Sequence, residues 1–164
     1  MDAQWQAACQ QCRDALASGD WGDALPMAAS SKDEFAPPSS LLAFPVLVDL
    51  ANALLRSFNE LRAFAPVEVA AVLAAELKSC LDLVASGVDE YSARAHRDAR
   101  FPALAALLAD DALPFFARCF AAVLGQAAMA DVAASAIRRV RAAAAAAVAR
   151  EKPVAPELAP PSHA

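Results

Sequence analysis

LLAFPVLVDLANALLRSFNELRAF, residues 41–64, is the stretch on which the reading of the fold turns. Leu47, Leu50, Leu54, Leu55, Phe58 and Leu61 recur at intervals of three and four, which a helix gathers on one side. Asp49, Asn52, Arg56, Asn59 and Glu60 leave only a narrow polar strip opposite, so the pattern predicts a helix enclosed by others. Pro45 fits near its start, where a missing amide hydrogen costs little.

On the C-terminal side the pattern predicts a second long helix from Pro66 to Ala85, with Pro66 at its first position and Glu68 in its first turn. Val69, Val72, Leu73, Leu77, Cys80, Leu81 and Val84 are expected to face inward, and Ser86-Gly87 to close it. Asp89 to Arg100 is the most polar run, with Tyr91 its one large apolar residue, and reads as a short surface helix or an ordered loop. Phe101, Leu104, Leu107 and Leu108 restart the helical pattern as far as Asp110-Asp111. Pro114 then opens a helix bearing Phe115, Phe116, Phe120, Val123 and Leu124, with aspartate as its N-cap, and a last helix spans Ala130 to Lys152.

On the N-terminal side, Ala3 to Ser18 carries Trp5, Ala8, Cys9, Cys12, Ala15 and Leu16 on one stripe and stops at Gly19. Asp20 as N-cap predicts a short helix over Trp21 to Ala29, and hence a tight helical hairpin. Gly19, Asp20, Trp21 and Ala24 resemble the turn of a tetratricopeptide repeat over one turn, with no second copy about 34 residues on. The resemblance implies a hairpin of that shape and not the family. Ser30 to Ser40, with Pro37 and Pro38, reads as an exposed loop.

Composition agrees. Of 164 residues 46 are alanine and 4 glycine, 59% are hydrophobic and 20% charged, a balance that favours helix and excludes a β architecture. The expected fold is all-α: a single helical domain over residues 1–152, an irregular helical bundle or short stack of αα-hairpins with about five to seven helices. A disordered Pro-rich tail, residues 153–164, is expected to follow.

The net charge of −5 argues against nucleic acid or an anionic membrane as partner, because both call for a positive field. No basic, apolar leader opens the chain, so a cytoplasmic location with reduced thiols is expected. Leu113 to Ile137, the most apolar stretch, is interrupted by Arg118, Gln126 and Asp131, and no membrane span is expected. Residues 1–93 hold 5 basic against 13 acidic side chains, and residues 94–164 hold 9 against 6, so the two halves are expected to attract.

Cys9 and Cys12 have a spacing at which two thiolates share a Zn²⁺, but no second pair follows, so they read as small apolar side chains on a packed face and no metal or other cofactor is expected. Ser92 and His96 place a hydroxyl and an imidazole one helical turn apart, yet Arg94, Arg97 and Arg100 crowd them and no glycine-rich turn supplies an oxyanion hole. Glycine-rich phosphate loops are absent. No catalytic residue is assigned.

The residues named for partner binding are Trp5 and Trp21, whose indoles either dock on the central helices or stay exposed as anchors, and Arg138, Arg139 and Arg141, which suit an acidic patch on another protein. The function expected is thus a non-catalytic protein–protein interaction module, an adaptor, chaperone or assembly subunit that binds another protein or a second copy of itself through an apolar helical surface. The alternative is a small helical enzyme or ligand-binding protein whose site is assembled from separate helices, which a deep pocket around His96 would favour.

Overall fold

In the computed structural model, residues 3–21, 36–64, 69–94, 98–124 and 131–151 are described, and every regular element among them is helical. Helix α1, Ala3–Ser18, ends where the sequence says it must. Gly19 takes φ +79°, a left-handed conformation that costs a residue without Cβ nothing. The amide of Gly19 donates to the Leu16 carbonyl at 3.2 Å and that of Asp20 to Ala15 at 3.0 Å, the paired bonds of a Schellman stop. The rest of the expected hairpin, from Gly22 to Ala29, lies outside the described residues, as does the 153–164 tail.

A 3-10 turn, Ser39–Ala43, leads into α2, Pro45–Phe64, with Pro45 at the first helical position. Leu47, Leu50, Leu54 and Phe58 are buried, so this helix is central as its pattern requires. Helix α3, Ala70–Arg94, runs straight through Ser86-Gly87 and takes in much of the polar run. Two facts explain why the expected stop fails. Ser86 Oγ donates back to the Leu83 carbonyl at 2.6 Å, which keeps the helix intact. Gly87 lies so close to α1 that a Cβ there would overlap the Arg13 carbonyl oxygen and sit 3.1 Å from Arg13 Cα. The glycine thus serves close approach rather than termination.

Helix α4, Phe101–Leu107, passes into a π turn, Leu108–Ala112, and on into α5, Leu113–Leu124, without a break. The amide of Leu113 bonds Leu108, one residue further back than in an α-helix. This wider coil relieves the clash between the Pro114 ring and the carbonyl one turn back. Asp110 and Asp111 are therefore not caps. Asp110 pairs with Arg141 at 2.9 Å, and Asp111 accepts from Ser40 Oγ at 2.6 Å, which pins the 3-10 turn.

Helix α6 is Ala134–Glu151. The helices close a ring in which α2 packs on α1, α1 on α3, α3 on α6, and α6 on the α4–α5 unit, which returns to α2. Cys12 and Trp21 meet the start of α2 while Trp5 meets Phe58, so α1 and α2 are antiparallel. Arg13 reaches Glu90 at 2.5 Å and Arg94 donates to the Ala17 carbonyl, a rising register that makes α1 and α3 parallel.

Aromatic rings fill the centre of this ring of helices at two levels. Trp5 stands edge-on to Phe58 at 6.4 Å, and Phe58 meets Phe120 at 5.3 Å. Trp21 lies 4.7 Å from Tyr91, which lies 5.7 Å from Phe101.

Two outcomes are expected in denaturant melts. Gly87→Ala gains about 1 kcal/mol of helix propensity but forces α1 away from α3, and it lowers stability by about 1–3 kcal/mol net. Leu54→Ala and Leu77→Ala, at wholly buried positions, each cost about 2–5 kcal/mol through lost transfer energy and a residual cavity.

Candidate functional site

The residues singled out for partner binding are not brought together. Trp5 and Trp21 are 2% and 1% exposed, so of the two expected arrangements both indoles adopt the docked one and neither is an anchor. Trp21 Nε1 donates to the Leu16 carbonyl at 3.3 Å, and the Arg100 guanidinium caps the ring at 5.2 Å. Arg139 forks onto Asp89 at 2.6 and 3.1 Å and also donates to the Asp82 carbonyl at 2.9 Å. It joins α6 to α3, a contact between the two oppositely charged halves. Arg141 is held by Asp110, and Arg138 is exposed. Of the three arginines, two are engaged by the chain itself.

Cys9 and Cys12 lie about 60° apart on the inner side of α1, and their thiols meet different neighbours. Cys12 lines the cleft against α2 beside Asp49, and burial followed by that carboxylate pushes its thiol up to about 12. Cys9 points to α3, where it is hydrogen-bonded to Cys80. That bond, together with complete burial, pushes the Cys9 thiol far up, while Cys80 as acceptor is held below its usual range. Among the described residues no group of three or more His, Cys, Asp or Glu side chains is arranged to hold a metal ion.

The serine and tyrosine of the polar run have structural partners. Ser92 Oγ donates to the Ala143 carbonyl at 3.3 Å, and Tyr91 donates to Asp98 at 2.6 Å. His96 lies outside the described residues. Asp98 is pushed up by burial, but the Tyr91 hydroxyl and the Arg100 amide and guanidinium more than offset this and hold it below the usual carboxylate range.

What the structure offers instead is a groove of about 990 Å³ along α1 and α3. Ala7, Ala71, Ala75 and Leu83 give it an apolar lining, Gln6, Gln10 and Glu76 a polar rim, and Cys80 lies at its floor. Val72 is 58% exposed on its lip, and Val69, one turn earlier, is 38% exposed. Both valines were expected to face inward. They face out because α3 gives its inner side to Ala70, Leu73, Leu77 and Leu81. Their spacing carried a signal that pattern alone could not resolve, because residues three and four apart lie on one face whether that face is covered or not.

Two smaller clefts lie between α1 and α2 and between α2 and α5, of about 340 and 470 Å³. No described helix is long and apolar enough to cross a membrane. No family model, curated protein or solved structure matches the chain.

Tyr91 is the one tyrosine in the sequence, so ultraviolet absorbance reads its ionisation alone. Burial, then the bond to Asp98, pushes its hydroxyl from 10.0 up to about 12, and Asp98→Asn should bring it part of the way back. The folded state holds this proton more tightly than the unfolded chain does. Stability from this group is therefore complete below pH 10.0 and is lost as pH rises through about 12. A stability profile flat through that interval would contradict the assignment.

Proposed function

We propose that the chain is a non-catalytic protein–protein interaction module, of the adaptor, chaperone or assembly-subunit kind, which binds its partner through the groove between α1 and α3. The supporting observation is where apolar surface is left uncovered. Among the described residues three large apolar side chains are notably exposed, Val69, Val72 and Val148; Val72 lines this groove, and Val69 precedes it by one helical turn. Covering the exposed half of Val72 on complex formation is worth about 1 kcal/mol, a source of affinity centred on the groove. The alanines of the lining let a second backbone approach closely, which suits the apolar face of an amphipathic helix. The tryptophans and Arg139 take no part, since the fold already uses them.

A photo-crosslinking amino acid at position 72, in the full chain in its native host, tests this against the same group at exposed Arg62 on α2. The expected result is a covalent adduct with one partner, or with a second copy of the chain, that forms from position 72 alone. The purified pair should then lose at least tenfold in affinity on Val72→Glu, about 1.4 kcal/mol, with the melting midpoint unchanged. Equal labelling from both positions, or affinity indifferent to Val72→Glu, would overturn the proposal.

A further inference from the structure

Two stretches of surface are left uncovered, and their chemistry is complementary. Among the described residues that line the groove, Glu76 is the charged one, and its Oε2 is enclosed with no hydrogen-bond partner. A carboxylate oxygen shut off from water without a donor is costly, so an occupant that brings a cation is favoured. The second stretch is the outer face of α6. Val148 is exposed there with Ala142, Ala145 and Ala149, and Arg138 and Arg141 stand on the same side, at helical intervals of three and four. Arg138 has no partner among the described residues, and Arg141 meets the exposed carboxylate of Asp110. The other side of α6 is buried through Ala136, Val140 and Ala143, and Arg139 ties it to Asp89 and the Asp82 carbonyl of α3. The outer face is therefore turned away and cannot enter the groove of its own chain.

Taking the groove as the binding surface proposed above, we infer that its occupant is the outer face of α6 of a second copy, so that copies of the chain join head to tail. The dimensions agree. The α3 side of the groove runs from Ala71 to Leu83, about 18 Å of helix axis, and Arg138 to Ala149 spans about 17 Å. The registers agree as well. Set antiparallel with Val148 beside Val69, α6 puts Ala145 opposite Val72, brings Arg141 level with Glu76, and brings Arg138 level with Ser79 one turn beyond. Two guanidiniums thus come down beside the carboxylate that lacks a donor, and small residues meet the exposed valine. The exposed pair of Arg141 with Asp110 is worth little and yields readily to this exchange.

Charge at longer range favours the same pairing. The groove belongs to residues 1–93, with 5 basic against 13 acidic side chains, and α6 to residues 94–164, with 9 against 6, so opposite ends of two copies attract. Pairing groove with groove about a two-fold axis would set Glu76 against Glu76 with no cation in either lining, and would leave Val148 exposed. Because the groove and the α6 face are different surfaces, each copy added leaves one of each unfilled. Assembly then continues to a closed ring or a filament.

The test begins with sedimentation velocity of the purified full chain, whose mean mass should rise with concentration. Val72→Glu spoils the groove and Val148→Glu spoils the α6 face, so each variant alone should associate at least tenfold more weakly, with its melting midpoint unchanged. An equimolar mixture of the two should recover the affinity as a dimer that grows no further, since one intact groove then meets one intact α6 face. A photo-crosslinking amino acid at position 72, in a mixture of isotopically labelled and unlabelled chains, should join to residues 142–150 of the other isotope. That cross-link decides the matter even if a glutamate variant does not fold. A monomer at every concentration, a cross-link from position 72 to the groove of the second copy, or association indifferent to Val148→Glu would each overturn the head-to-tail assignment. These results differ from failure of the groove itself, which shows as equal labelling of host proteins from positions 72 and 62.

Discussion

The close parallel approach of α1 to α3, made possible by the missing side chain at Gly87, is the constraint on which the rest of the molecule depends. A helix that rests its neighbour's backbone on a glycine gains dispersion contact there, and here the register is held in the turns that follow. Arg13 holds Glu90, and Arg94 holds the last turn of α1 through the Ala17 carbonyl. These contacts involve partly exposed side chains and are individually worth little, so they set register more than stability. Once α1 is placed, Trp5 reaches Phe58 and Phe120, and Trp21 falls between Tyr91 and Phe101.

In the first turns of α3, Ala70, Leu73 and Leu77 are buried, whereas Val69 and Val72 on another side of the helix stand partly in solvent. This open face is the one on which the proposed interaction rests. The arginines take the opposite course. Arg139 and Arg150 bond backbone carbonyls of α3, and Arg139 and Arg141 meet aspartates, so positive charge in the C-terminal part of the chain is spent on holding α6 in place.

Much of the fold was legible in the sequence because it rests on local rules. Period, propensity and a left-handed glycine predict α1 from Ala3 to Ser18, and the proline rule predicts α2 from Pro45. What was not legible depends on neighbours distant in sequence. Gly87 reads as a stop until Arg13 is known to lie against it, and Asp110-Asp111 before Pro114 read as a cap until the π turn carries the helix through. For the candidate site the gap is wider. The tryptophans attract attention because indoles often anchor interfaces, and here they are core; the groove arises only when two helices are set side by side.

The measurement that bears most directly on this account is a nuclear Overhauser spectrum of the isotopically labelled full chain, read at the two Gly87 α-protons. Close packing of α1 on α3 predicts strong cross-peaks from these protons to the Arg13 α-proton and to its immediate neighbours on α1. If those cross-peaks are absent while the Trp5–Phe58 contacts are present, α1 is docked on α2 alone, and the groove loses the geometry on which it depends.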